Sequence, residues 1–122
     1  MTIALVHYHL RRGGVSRVIE AQSAALQSAG VEHVILSGTR YWGGHELPVV
    51  VVPELDYRND DLPGLAQTLR QAATEALGAP PDLWHFHNPT LGKNAAFPTL
   101  LADLLADGQR LLFQHHDFAE DG

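Results

Sequence analysis

Short apolar runs alternate along the chain with longer segments in which apolar residues recur every three or four positions. Continuous apolar runs of this length are typical of strands that are buried on both faces of a sheet. The sequence therefore predicts five strands. They are Ile3–Tyr8, Val31–Gly38, Val49–Val52, Leu83–His87 and Arg110–His116.

The first predicted helix follows a pair of glycines, Gly13 and Gly14. Its apolar positions fall three and four residues apart, from Val15 onward, and only Gln22 interrupts the stripe. Gly30 is expected to end this helix. A glycine pair is an unusual start, because serine or aspartate would cap the helix better.

Two further helices are predicted downstream. Asp60 or Asp61 is expected to cap the second, with Pro63 in its first turn. The third covers the apolar stripe of residues 97–105, and Gly108 is expected to end it.

The predicted order is β-α-β-β-α-β-α-β. Buried strands that alternate with amphipathic helices predict an α/β fold of three layers, in which a parallel sheet has helices on both faces. The expected strand order is 3-2-1-4-5, with right-handed crossovers. The short link between the second and third strands requires either a short crossover or a third strand at the edge.

Composition narrows the class of protein. The 122 residues suffice for one compact domain, 1–122, and the net charge of −6 argues against a nucleic-acid partner. The absence of cysteine excludes disulfides and thiolate metal sites. No apolar stretch approaches the roughly 18 residues of a membrane span, and the start lacks the basic region of a signal peptide. We therefore expect a cytoplasmic protein.

Polar residues collect where the predicted strands end. In such a sheet, ligands bind beyond the carboxyl ends of the strands where the order reverses, here between the first and fourth strands. Six of the eight histidines lie at these ends. The residues concerned are His7 and His9, then His85, His87 and Asn88, then Gln114, His115, His116 and Asp117.

The glycine pair offers a reason for that clustering. Gly13 and Gly14 join a buried strand to a helix N-terminus, where a backbone without Cβ atoms can approach an anion such as phosphate. The alternative is a plain tight turn. Neither a dinucleotide fingerprint nor a P-loop is present, so NAD binding and ATP hydrolysis have little support.

Three interpretations of the histidines remain open. They could hydrogen-bond a sugar or a phosphate. The pairs His7/His9 and His85/His87 could instead bring ligands together for zinc. Finally, several of them could be strand-end residues without any ligand.

Two smaller sets of residues also allow two interpretations each. Lys93 and Asn94 precede the third helix and could hold an anion there, or serve as a solvated charge and a cap. Arg11 and Arg12, before the glycine pair, could attract an anionic partner or be solvated.

Three stretches together resemble the start of the GT-B-type retaining glycosyltransferases, the group-1 or family-4-like enzymes. The first stretch, HYHLRRGGVSRVIEAQSAALQSAGVEHVILSG, resembles their first strand, glycine loop, helix and second strand. DLWHFHN resembles their fourth strand, and LLFQHHDFAEDG resembles the strand that ends in His-Asp. The order and spacing of all three match, and the resemblance extends over nearly the whole chain.

The resemblance implies a Rossmann-like domain and roles for individual residues. The family's strand-end histidine, which lies beside the transferred sugar, matches His116 and makes it the candidate catalytic residue. The family generally needs no metal, so the resemblance implies no cofactor. The nucleotide-sugar donor is the co-substrate. The implied substrate-binding residues are Gly13 and Gly14 of the glycine loop with His9, His87, Asn88 and Asp117.

The resemblance also implies partners. Such enzymes have two Rossmann-like domains, so we expect the chain to be the N-terminal, acceptor-side part of a longer enzyme and inactive alone. Its substrates would be a nucleotide-sugar and a sugar or lipid-linked acceptor, with possible peripheral membrane association and no nucleic acid. The alternative is a stand-alone flavodoxin-like module that binds a phosphorylated ligand, or a metal through its strand-end histidines.

Self-association is a further expectation. A sheet that stops at the fifth strand leaves that strand at an edge, with its apolar residues 111–113 uncovered. Exposed apolar edges pair readily with another chain, so we expect the chain to self-associate.

Overall fold

The computed structural model describes residues 1–116. Five strands and three α-helices alternate as the apolar pattern predicts. In chain order they are β1 (Thr2–His7), α1 (Gly14–Ser28), β2 (Glu32–Ser37), β3 (Val49–Val51), α2 (Leu65–Leu77), β4 (Leu83–His87), α3 (Phe97–Ala106) and β5 (Leu111–Gln114), with a 3-10 turn at Pro53–Leu55 before α2.

The strands form one sheet in the order β3-β2-β1-β4-β5. Every strand pair in it is parallel. The predicted α/β class and strand order 3-2-1-4-5 are therefore confirmed, and the fold is Rossmann-like. No helix separates β2 from β3, so β3 lies at the edge of the sheet.

The two faces of the sheet carry different helices, because successive residues of a strand point to opposite sides. On one face, Val6, Trp84 and Phe86 pack with α2 and α3 in the larger core cluster. On the other face, Leu5 and Ile35 pack with α1 in the smaller cluster. Helices on both faces are thus confirmed.

The predicted start of α2 is wrong. The helix begins at Leu65, after Gly64 in a left-handed conformation with φ of 87°, and no side chain caps it. The carboxylate of Asp60 instead pairs with Arg58 at 2.9 Å. One oxygen of Asp61 accepts a hydrogen bond from the adjacent backbone N–H of residue 62. Both candidate caps are therefore engaged before the helix begins.

The fifth strand is shorter than predicted. It covers Leu111–Gln114 rather than residues 110–116. The backbone N–H of His116 leaves the ladder and donates to the side-chain oxygen of Asn88 at 2.7 Å. Within residues 1–116, no helix has both the length and the apolar character needed to cross a membrane.

Candidate functional site

Asn88 holds the carboxyl ends of three strands together. It follows β4 with a left-handed φ of 51°, a conformation that asparagine tolerates. Its backbone N–H donates to the carbonyl of Gln114 at 2.8 Å. Its carbonyl accepts from the Tyr8 hydroxyl at 2.6 Å, and its side-chain oxygen accepts from the backbone of His116. Asn88 is buried, so these contacts hold the strand ends in place.

Five of the rim histidines form one continuous row of rings. His85 stacks on His87 with ring centroids 4.7 Å apart, and His87 stacks on His116 at 5.1 Å. His7 meets the edge of the His87 ring at 6.3 Å and lies 5.1 Å from His9. The predicted clustering of histidines at this rim is therefore present.

Most of that row lies inside the protein. His87 is fully buried, and His7 and His9 are 2 % and 7 % exposed. His85 and His116 are half-buried. A cleft onto which all five rings open, which their shared position at strand ends would suggest, is therefore not formed, because three of them are buried.

Gln22 of α1 fixes which nitrogen of His87 carries the proton. The amide oxygen of Gln22 can only accept, so His87 Nε2–H donates to it at 2.9 Å. In a neutral ring the other nitrogen then accepts. His116 Nε2–H must therefore donate to His87 Nδ1, 2.8 Å away.

The same glutamine links the row to β5. Its amide nitrogen donates to the side-chain oxygen of Gln114 at 2.9 Å, and that oxygen also accepts from His85 Nε2 at 2.8 Å. Sequence reasoning missed Gln22 as a member of the site. The signal was its position, since a polar residue on a buried apolar stripe needs a hydrogen-bond partner.

Burial keeps the inner histidines neutral. Desolvation, followed by the charges of His85, His7 and His116, lowers the pKa of His87 from 6.5 to about 2. Desolvation and then His9 lower the pKa of His7 to about 3, although a hydrogen bond to the backbone of His87 opposes the shift. Burial is also the leading cause of the lowered pKa values of His9 and His85.

His7 leaves one buried nitrogen without a partner. Its Nδ1–H donates to the carbonyl of His87 at 3.1 Å, so in the neutral ring Nε2 carries a lone pair. Within residues 1–116, no donor reaches that nitrogen.

His9 faces a cluster around Tyr57. Its Nδ1 accepts from the backbone of Arg11, and its Nε2 lies 3.1 Å from the Tyr57 hydroxyl. Arg11 pairs with Asp56 at 2.6 Å, and Lys93 Nζ lies 5.5 Å from the centre of the Tyr57 ring. Arg11 is therefore ion-paired rather than available to an anion.

Asn94 performs a structural task. Its amide nitrogen donates to the carbonyls of residues 54, 55 and 56 at 2.9, 3.1 and 2.8 Å. Its oxygen accepts from the backbone N–H of Ala96 at 2.8 Å, just before α3. Because these contacts occupy the side chain, Asn94 is not available to an anion. It is not the cap of α3 either, since Ala96 is the N-cap residue and no side chain caps this helix.

The glycine pair forms the start of α1. Gly13 is the residue before the first turn and Gly14 opens it, and no side chain caps the helix. Gly13 has an extended backbone with φ of 164°, which any residue can adopt. Backbone conformation alone therefore does not require glycine at position 13.

A cleft of about 430 Å³ lies beside the start of α1. Its lining combines basic, acidic and aromatic side chains with the glycine loop. The lining residues are Leu10, Arg12, Gly13, Ser16, Arg17, Glu20, Tyr41, Trp42 and Gly43. None of the histidines belongs to this lining, so the glycine loop and the histidine row do not share it.

The remaining predicted residues divide as follows. His116 ends the histidine row, and His115 is exposed beside it. Asp117 lies outside the described residues. Within residues 1–116, no three potential metal-ligating side chains are arranged to hold a metal ion.

The five-stranded parallel sheet, with polar residues at its topological switch point, defines a Rossmann-like α/β domain. A family model described as the glycosyl transferase 4-like domain matches residues 13–122. The chain belongs to this family and is a glycosyltransferase-type domain. The comparisons with curated proteins and with solved structures found no match.

Proposed function

We propose that the chain is the N-terminal, acceptor-side domain of a GT-B-type retaining glycosyltransferase. The enzyme would move a sugar from a nucleotide-sugar donor to a sugar or a lipid-linked acceptor. The family match carries this proposal, because residues 13–122 include the glycine loop, the end of β4 and three of the five histidines of the row, His85, His87 and His116. In this proposal a second domain follows and completes the donor cleft, so the chain alone would not catalyse transfer.

The glycine loop would approach the donor diphosphate. The first backbone N–H groups of α1 have no side-chain cap, and such groups with the helix dipole favour a phosphate. In the reaction, the bond between the sugar's anomeric carbon and the donor phosphate breaks and the acceptor oxygen bonds to that carbon. The nucleoside diphosphate leaves with the bonding electrons, and the acceptor's proton passes to it or to solvent.

His116 would lie beside the transferred sugar and hydrogen-bond to it. His87 would act as a positioning residue, because its Nδ1 accepts from His116 Nε2 and so fixes the orientation of that ring. The side-chain oxygen of Gln22 accepts a hydrogen bond from the opposite nitrogen of His87, Nε2, at 2.9 Å. No cofactor besides the donor is part of this proposal.

The test uses the protein encoded by the complete reading frame. Release of nucleoside diphosphate is measured with UDP-glucose, GDP-mannose and other nucleotide-sugars, with and without sugar acceptors. We expect at least one donor to be consumed, and His116→Ala to lower the rate about 100-fold or more. His115→Ala is the matched control, since this neighbouring histidine is exposed, and should retain most of the rate.

Two results would overturn the proposal. One is that no nucleotide-sugar is bound or consumed. The other is that His116→Ala and His115→Ala behave alike. Saturable binding of a phosphorylated ligand or of a metal, without any turnover, would favour the flavodoxin-like module instead.

A further inference from the structure

The cleft beside the start of α1 contains an exposed indole ring. Trp42 is 61 % exposed, whereas the second tryptophan, Trp84, is fully buried. The guanidinium of Arg40 lies 5.2 Å above the Trp42 ring. Arg40 thus covers one face of the ring, and the other face offers a flat apolar surface for the C–H face of a sugar or polyol.

The two arginines that line this cleft, Arg12 and Arg17, form no ion pair within residues 1–116. The chain has 8 basic and 14 acidic residues, and the ion pairs within residues 1–116 engage Arg11, Arg58 and Arg70. Arg12 and Arg17, which line the cleft, form none of them. An acidic chain that keeps two unpaired arginines in one cleft favours an anionic ligand there.

The acid in the same cleft is already engaged. The Tyr41 hydroxyl donates a hydrogen bond to the carboxylate of Glu20, and both side chains line the wall of the cleft. This contact holds the 41–43 loop against α1 and so keeps Trp42 beside the arginines.

We propose that this cleft binds a phosphorylated sugar or polyol. The phosphate would contact Arg12 and Arg17, and the ring would lie against Trp42. The inference rests on the proposed function, in which this ligand is the acceptor. The volume of about 430 Å³ falls within the roughly 300–1,000 Å³ of small-ligand sites. The same chemistry occurs in a free sugar phosphate and in a lipid with a phosphorylated polyol headgroup.

Trp42 supplies the readout for the test. The chain is titrated with glucose 6-phosphate, mannose 6-phosphate, glucose and inorganic phosphate while tryptophan emission is recorded. A parallel arm uses phosphatidylcholine vesicles with and without phosphatidylinositol. Because Trp84 is buried, we expect Trp42 to give the response and Trp42→Phe to abolish it. Saturation by a sugar phosphate indicates the free source, and saturation only by phosphatidylinositol vesicles indicates the lipid.

Paired variants test the arginines. Arg12→Ala with Arg17→Ala should weaken binding about tenfold or more, since charge-assisted hydrogen bonds are lost. Arg110→Ala is the control for charge, because this exposed residue precedes β5 at the opposite end of the sheet; it should change affinity less than twofold. Thermal unfolding checks that the variants remain folded.

The inference falls if neither sugar phosphates nor phosphatidylinositol vesicles bind saturably. It also falls if glucose or inorganic phosphate alone binds as tightly, or if Arg110→Ala weakens binding as much as the double variant. If the full-length enzyme transfers sugar while this cleft binds none of these ligands, the proposed function stands and only the inference fails.

Discussion

The two faces of the sheet are built from the same strands but from different chemistry. On β4, Trp84 and Phe86 point into the apolar cluster under α2 and α3. Their neighbours His85 and His87 point toward α1, where Gln22 and Gln114 bond to them. One strand thus supplies aromatic packing to one side and a hydrogen-bonded histidine row to the other.

This difference shows how the domain divides its tasks. The α2/α3 face gains stability from apolar burial, which depends on shape. The α1 face buries polar groups, which costs free energy unless each one is hydrogen-bonded. The glycine loop and the arginine-lined cleft also lie at the start of α1. The first face therefore contributes mainly to stability, and the ligand binding that we propose falls on the second.

Two adjacent residues of β4 give the largest expected contrast. Phe86→Ala should lower the free energy of unfolding by about 3–5 kcal/mol, because it leaves a cavity in the apolar cluster. His85→Ala removes a half-buried ring and one hydrogen bond to Gln114, and should cost about 1 kcal/mol. Urea unfolding measures both, and equal losses would contradict the contrast.

Acid should weaken the α1 face specifically. The folded pKa values of His7 and His87 are about 3 and about 2, against 6.5 for an unperturbed histidine. Below pH 6.5 these two histidines therefore bind protons in the unfolded chain but stay neutral in the folded chain. The free energy of unfolding consequently decreases as the pH falls. Each group should lose about 2 kcal/mol between pH 7 and pH 5, so for the two together we expect a loss of about 4 kcal/mol.

The control for this pH dependence comes from the apolar face. Leu69→Ala, in the buried stripe of α2, should lower stability without changing its slope against pH. Urea unfolding at pH 7, 6 and 5 measures both proteins. A wild-type stability that stays constant over this range would show that the histidines are not buried in the neutral form.

A more apolar side chain in α1 should destabilise the protein. Gln22→Leu removes the acceptor for His87 Nε2–H and leaves a buried donor unsatisfied, at a cost of about 1–3 kcal/mol. Gln27→Leu makes the same change at an exposed position of α1 and should stay within about 0.5 kcal/mol. If Gln22→Leu raises the free energy of unfolding instead, the hydrogen bonds of Gln22 to His87 and Gln114 do not stabilise the fold as described.

The smallest effect concerns the edge of the sheet. Leu112 and Phe113 of β5 are 47 % and 38 % exposed, so the edge strand presents apolar side chains on both faces. We expect the chain to self-associate at micromolar concentration and Leu112→Lys to weaken this association severalfold. Light scattering across a dilution series measures it, with Gln67→Lys, at an exposed position of α2, as the control for charge. A wild-type monomer would contradict the expectation.

The sequence predicts the architecture well because the apolar pattern reflects burial directly. Strands covered on both sides, such as β1 and β2, contain continuous apolar runs. The predicted start of α2 is wrong because Asp60 forms an ion pair with Arg58 instead of capping the helix. The pattern of apolar and polar positions does not reveal such local ion pairs.

The candidate site was only partly predictable. Strand ends place the histidines at one rim, which the topology alone implies. Which rings are buried depends on the position of α1 over the sheet, and the importance of Gln22 depends on its contact with His87. Both depend on how the helices pack against the sheet, which the pattern of apolar positions does not specify. The roles of His116 and the glycine loop in substrate binding stay predictions.

Chemical-shift mapping tests the division between the two faces most directly. A ¹⁵N-labelled chain is titrated with glucose 6-phosphate and, separately, with UDP-glucose, while every assigned amide is followed. The account predicts saturable shifts confined to residues 10–17 and 41–43 and to the rim around His116, with α2 and α3 unchanged. Shifts that concentrate on α2 and α3 instead, or none with either ligand, would contradict it.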